Sequence, residues 1–286
     1  MRQAFFIQSN QDIDMTAEKH YARALTIAGS DSGGGAGIQA DLKTFAANGC
    51  YGMSVITALT AQNTVGVRSI FAVPVEMVSD QMEAVLTDIG ADAIKIGMLF
   101  SPLLIRTVAE GLRKWARDVP VVLEPVMVAQ SGDKLLKDDA VAALKEELIP
   151  LAHLITPNLP EAEVLLGRAI TTLAAMEEAA RELGKFGCSN VLIKGGHLED
   201  ADSDDLLYLG DEQRLLRFPG ERIATNNNHG TGCTLSSAIA AGLAKGLPLS
   251  EAVAQAKQYI TAAIQAGAAY RIGKGHGPLH HFHAFF

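Results

Sequence analysis

Apolar residues along this chain gather in short runs that alternate with stretches of helical spacing. The runs at 24–28, 121–123 and 191–193 are apolar without strict alternation, as in parallel strands covered on both faces. Segments 54–59 and 153–156 add two further expected strands. Between the runs, Ile38, Leu42 and Phe45 recur at spacings of four and three, and Val253, Ala256, Ile260 and Ile264 mark a second amphipathic helix. Strand and helix in alternation predict a doubly wound α/β sheet. Residues 64–73 and 205–218 break the rhythm and read as strand pairs around Gly66 and Gly210-Asp211, so antiparallel excursions are expected near the sheet edges. No linker or internal repeat divides the chain, which predicts one domain over 21–286 behind an irregular N-terminal extension, 1–20.

Composition narrows the picture. A chain of 286 residues that is 48% hydrophobic can bury a large core, and its 24 basic residues are scattered among 32 acidic ones for a net charge of −8. That balance argues against a nucleic-acid partner. The apolar run at 4–7 is too short for a signal-peptide core or a membrane span. Cys50, Cys188 and Cys233 are odd in number and widely spaced, which suits free thiols in the cytoplasm.

Two glycine-rich segments carry the candidate chemistry. The first, Gly29-Ser30-Asp31-Ser32-Gly33-Gly34-Gly35-Ala36-Gly37, follows an expected strand. It is not a P-loop, because Ile38 and Gln39 stand where lysine and a hydroxyl residue are needed, and it lacks the G-x-G-x-x-G spacing. It reads either as a loop where a flat ligand approaches the backbone or as a tight turn. The second, Asn228-His229-Gly230-Thr231-Gly232-Cys233-Thr234, opens a helix marked by Leu235, Ile239 and Leu243. Glycines there let backbone N–H groups converge beside a positive dipole end, which is an anion hole suited to a phosphoryl group; an unliganded helix start is the alternative. Cys233 at that terminus is expected to have a lowered pKa and to accept a proton from a substrate hydroxyl, unless it is simply a small buried thiol.

In combination these segments resemble one family. Gly29-Ser30-Asp31 and 33–41, Thr60-Ala61-Gln62-Asn63-Thr64, Lys95-Ile96-Gly97-Met98, Thr156-Pro157-Asn158-Leu159-Pro160-Glu161, Lys194-Gly195-Gly196-His197, 229–234 and the histidine-rich tail follow the order found in bacterial hydroxymethylpyrimidine/phosphomethylpyrimidine kinases. The likeness covers about 22–286. It implies a ribokinase-like three-layer sandwich with a mostly parallel sheet and short antiparallel edge strands. It also implies ATP and Mg²⁺ as cofactors. The expected substrates are an aminopyrimidine alcohol and then its monophosphate, on the route to thiamine. A homodimer is expected, with no membrane and no nucleic-acid partner.

The resemblance also assigns residues. Gly230, Thr231, Gly232 and Cys233 would form the catalytic cradle, with Cys233 as the candidate base. Gln62, Asp41, Gly29 and Met98 would bind the pyrimidine, an amide matching a ring nitrogen beside an exocyclic amine. Asn158, Glu161 and Lys194 would face nucleotide and Mg²⁺, and Asn158 and Glu161 fit a helix cap equally well. No dedicated protein-only metal site is expected, the tail histidines included. Two positions depart from the pattern: Glu124, where the family usually has Asp, keeps the charge but moves it by one methylene, and Gln130, where it usually has Lys, lacks a cation that would help hold the monophosphate for the second phosphorylation. Pyridoxine/pyridoxal kinase activity and a non-catalytic pyrimidine sensor are the alternatives.

Overall fold

The computed structural model describes residues 19–127, 138–196 and 203–286. Residues 1–18 of the expected extension, together with Gln130 and His197, lie outside the described residues.

Strands β1 (Arg23–Ser30), β2 (Tyr51–Asn63), β4 (Ala93–Ile96), β5 (Val121–Leu123), β6 (Leu154–Ile155) and β7 (Asn190–Ile193) run parallel. Strand β3 (Gly66–Ala72) is antiparallel beside β2, and β8 (Asp205–Leu209) and β9 (Arg214–Phe218) are antiparallel at the other edge. The order is β3-β2-β1-β4-β5-β6-β7-β8-β9. All five expected strands are present, as is the hairpin at 205–218. The stretch 64–73 differs: it holds one strand, whose partner is the far end of a long β2, because the turn falls at Thr64-Val65. Strand β4 was not expected, since Lys95 interrupts its apolar run.

Helices cover both faces. α1 (Gly37–Ala47), α7 (Thr231–Ala244) and α8 (Leu249–Gly267) bury one face, where Phe45, Ile239, Val253 and Ile260 pack on Ala24, Ala93, Val122, Leu154 and Leu192. The other face meets α2 (Val75–Asp88), α3 (Pro102–Trp115), α4 (Asp138–Ala143), α5 (Leu159–Leu166) and α6 (Leu173–Gly184) through Leu25, Ile27, Ile94, Ile96, Leu123 and Ile193. This is the three-layer sandwich expected.

Successive strand side chains point to opposite faces, and that fixes where polar groups emerge. Thr26 follows the facing of Ala24, Lys95 that of Ala93, Glu124 that of Val122, and Lys194 that of Leu192. All four therefore point toward the layer of α1 and α7. The chain leaves β1 toward β2 and later returns to β4 on its other side, so the strand order reverses between β1 and β4. Open α/β sheets place ligands outside the carboxyl ends of strands at such a point.

Candidate active site

The expected residues lie along the carboxyl ends of the parallel strands. Gly29 closes β1, Gln62 closes β2, Met98 follows β4, Glu124 follows β5, Asn158 follows β6 and Lys194 follows β7. The residues expected to meet the pyrimidine group at the β1–β2–β4 end. A Cβ placed on Gly29 would lie 3.5 Å from Met98 Cε, so these two residues are neighbours. Gln62 sits at a bulge of β2, its backbone N–H donating to Ser32 Oγ and its carbonyl accepting from that hydroxyl, both at 2.8 Å.

Asp41 differs from the expectation. It has no accessible surface, and its carboxylate accepts from Lys95 Nζ at 3.0 Å, Thr26 Oγ1 at 2.6 Å and Ser237 Oγ at 2.7 Å. Both its oxygens are engaged by the protein, so Asp41 braces β1, β4 and α7 rather than offering a free carboxylate to a ligand.

From Asp41 a chain of alternating charges crosses the crevice floor. Lys95 Nζ lies 3.3 Å from Glu124 Oε2, Glu124 Oε1 lies 3.4 Å from Lys194 Nζ, and Lys194 Nζ lies 3.9 Å from Glu161 Oε2. Burial opposes the charge on Lys95, but the Asp41 and Glu124 carboxylates outweigh it and raise its pKa, so it stays charged. Burial likewise pushes Glu124 up, yet Lys194 and Lys95 bring the net shift below the ordinary value. Lys95 belongs to a segment that carries the resemblance, yet no role is expected for it from sequence; a lysine inside an otherwise apolar tetrapeptide is the available signal.

Asn158 and Glu161 form a reciprocal cap on α5. Asn158 Oδ1 accepts from the Glu161 N–H and Glu161 Oε2 accepts from the Asn158 N–H, each at 2.8 Å. Burial pushes Glu161 up to about 7, against the opposing pull of Lys194. One oxygen is committed to the cap, and the carboxyl titrates near neutrality.

Helix α7 begins over this floor. Gly230 occupies its N-cap with φ of 84°, a left-handed value that suits glycine, and no side chain caps the helix. Thr231 Oγ1 instead donates to the Asn228 carbonyl at 2.7 Å. Among the described residues the first-turn amides of Gly232 and Cys233 thus have no side-chain capping acceptor, as an anion site requires. A Cβ on Gly232 would collide with Glu124 Oε1, so only glycine lets the helix start this close to the charge chain.

Cys233 corrects the expected low pKa. Burial pushes its thiol up to about 12, the Glu124 carboxylate adds to the rise, and Lys95 opposes it. The resting group is a thiol hydrogen-bonded to Glu124. At the back of the same helix start, Thr234 Oγ1 lies 3.1 Å from Nε2 of buried His281, whose pKa burial pushes down to about 4. That tail histidine is a neutral buttress. Among the described residues no three or more His, Cys, Asp or Glu side chains converge as a metal cage.

A family model, phosphomethylpyrimidine kinase, matches residues 31–280. The chain belongs to that family. It is 56% identical to a hydroxymethylpyrimidine/phosphomethylpyrimidine kinase of Rhizobium meliloti, over 93% of this chain and 98% of the relative. A crystal structure of a phosphomethylpyrimidine kinase from Clostridium difficile superposes with a TM-score of 0.76 at 48% identity, covering 85% of this chain and 99% of that one. An ADP complex of Bacillus subtilis pyridoxal kinase superposes with a TM-score of 0.84 at 38% identity, covering 92% and 98%. The likeness to pyridoxal kinases is one of related fold, while both sequence comparisons lead to the pyrimidine kinases. No described helix is long and apolar enough to cross a membrane.

The buried position of Glu161 yields a stability prediction. Its folded pKa of about 7 lies above the ordinary 4.5, so ionising it in the folded protein costs free energy. The unfolding free energy of the natural protein relative to Glu161→Gln is expected to fall as pH rises from about 4.5. The slope should be at most about 1.4 kcal/mol per pH unit, levelling above about 7. Urea unfolding of both proteins at several pH values reads this out; a difference independent of pH contradicts it.

Proposed function

We propose that this chain is an ATP-dependent kinase that phosphorylates 4-amino-5-hydroxymethyl-2-methylpyrimidine. It then phosphorylates the monophosphate to the diphosphate, in the cytoplasm and on the route to thiamine. The observation that carries the proposal is the uncapped α7 terminus seated on the Asp41–Lys95–Glu124–Lys194–Glu161 chain, in the crevice that also holds Gln62. The names of the kinase relatives supply the substrate class. A Staphylococcus aureus pyridoxal kinase, 34% identical, has been solved with AMP-PCP and pyridoxal, which supports ATP as donor.

In this reading the ring lies against Gln62, Gly29 and Met98 and presents its hydroxymethyl arm to Cys233. The hydroxyl oxygen forms a bond to the γ-phosphorus as the bond to ADP breaks. Charge on the travelling phosphoryl oxygens meets the amides of Gly232 and Cys233 and the ammonium of Lys194. Cys233 rests as a thiol, so its first task is to orient the hydroxyl; a loose transition state asks for little proton removal early. The hydroxyl proton leaves late, toward the Cys233–Glu124 pair. Asn158 and Glu161 would hold Mg²⁺ beside the phosphates, and the ion would supply neutralisation of phosphate charge. Glu124 keeps the charge of the usual aspartate, so the floor stays balanced for the second transfer.

A coupled assay with ATP, Mg²⁺ and the pyrimidine alcohol, with mono- and diphosphate resolved, tests this. Cys233→Ala is expected to lower kcat by about a hundredfold with little change in KM. Gln62→Ala is expected to raise KM by about tenfold. Unmodified alcohol in the presence of folded natural protein refutes the proposal.

The homodimer belongs to the same proposal. Strand β3 is an edge strand whose residues are exposed, Val67, Ile70 and Phe71 among them. Such an edge favours self-association. Sedimentation should give twice the 30.3 kDa chain mass and Phe71→Glu should lower it; a single-chain mass for the natural protein contradicts the dimer.

A further inference from the structure

The glycine-rich start of the tail has no part in the chemistry, yet it ties two sides of the crevice together. Hairpin β2–β3 carries Gln62, but none of residues 59–72 is buried, so the core does not hold its outer end. Asn63 Oδ1 accepts from the Val65 and Gly66 N–H groups at 2.9 and 3.3 Å, which fixes the shape of the turn and not its place. Thr64 fixes the place. Its Oγ1 accepts from the Lys274 and Gly275 N–H groups at 3.2 and 3.3 Å, and its carbonyl accepts from the His276 N–H at 2.9 Å. The fit is close: a Cβ on Gly275 would collide with the Thr64 carbonyl, and one on Gly273 with the Thr64 hydroxyl.

The next residue of the tail is fixed to the phosphoryl side. The Gly277 carbonyl accepts from the His229 N–H at 3.1 Å, and Pro278 pairs with His229 in an isolated parallel bridge. His229 is itself pinned, its Nε2 lying 2.9 Å from Oδ2 of buried Asp31. That oxygen also accepts from the Gly35 and Ala36 N–H groups at 3.1 and 2.9 Å. Asn227 Nδ2 donates to the Gly267 and Tyr270 carbonyls at 2.8 and 2.6 Å, and the His280 N–H donates to the Ala263 carbonyl at 3.1 Å, which seats the tail on α8.

Two consecutive residues therefore span the gap, His276 to the hairpin and Gly277 to the entrance of the α7 cradle. Neighbouring Cα atoms are about 3.8 Å apart, so the connection has a fixed length. We infer that tail residues 273–277 are a strut that sets the place of Gln62 relative to the α7 cradle, which makes Thr64 a positioning residue for the pyrimidine. This rests on the reading of Gln62 as the group that meets the ring. A hairpin released from the strut keeps its turn but lets Gln62 drift from the ring. Ring binding then weakens, while the nucleotide side, at the ends of β6 and β7, keeps its geometry.

The test is steady-state kinetics of the natural protein, Thr64→Val, Thr64→Ser, Gly275→Ala and Gln62→Ala, with urea unfolding of each. Valine keeps the shape of Thr64 and removes the acceptor, and serine restores it. Gly275 lies outside the left-handed region, so alanine there acts through its clash with Thr64. Thr64→Val and Gly275→Ala are expected to raise the KM for the pyrimidine alcohol by about tenfold, with the KM for ATP and the urea midpoint unchanged. Thr64→Ser is expected to keep the natural values. Equal rises in both KM values, or a serine variant that behaves as valine does, overturn the inference. If Gln62→Ala raises the pyrimidine KM but Thr64→Val and Gly275→Ala do not, the inference is overturned and the ring reading stands. If Gln62→Ala leaves that KM unchanged, the ring reading fails and takes the inference with it.

Discussion

Lys95 and Lys194, two lysines held between three carboxylates under the start of one helix, are the constraint on which the site depends. Strand alternation puts Thr26, Lys95, Glu124 and Lys194 on the α1 and α7 face, and the carboxyl ends of their strands bring them within reach of one another. A buried ion pair adds little net stability, but removing one partner typically costs about 3–5 kcal/mol because a bare charge is left behind. The chain of charges therefore acts as a geometric specification. Any shift of β4, β5 or β7 relative to α7 would strand a charge in the interior.

The same chain explains why Cys233 is not a resting thiolate. A helix N-terminus favours a nearby anion by about 0.3–1 kcal/mol at an exposed site. That is less than the roughly 1.4 kcal/mol represented by one pKa unit. Burial together with the Glu124 carboxylate overrides it, and the thiol is pushed up to about 12. A thiolate beside the Glu124 carboxylate would add a second negative charge and unbalance the floor. The arrangement leaves Glu124 as the negative charge beside Cys233 until a phosphoryl group arrives.

Much of this was legible in the sequence, where the signals were local. Apolar runs and glycine punctuation located β1, β2, β5, β6 and β7 and the start of α7, and Asn158-Leu159-Pro160-Glu161 announced a capped helix start, though not the reciprocal bonds of the cap. What was hidden depends on long-range pairing. Strand β4 escaped because a buried lysine looks polar until its partners on α1 and after β5 are known. Asp41 read as a ligand-facing carboxylate because nothing local shows that Lys95 and Ser237, 54 and 196 positions away, consume it. The Asp31–His229 contact joins residues 198 apart, and only the folded chain brings them together. The helix terminus suggested a reactive thiol; the opposing carboxylate comes from another strand.

A crystal structure of the protein with MgADP, aluminium fluoride and the pyrimidine alcohol tests the central claim most directly. The planar fluoride stands in for the phosphoryl group in transfer, and its fluorines are predicted within hydrogen-bond reach of the Gly232 and Cys233 amides, with Lys194 on its flank. A fluoride group bound elsewhere, with those amides turned to protein acceptors, would contradict the account.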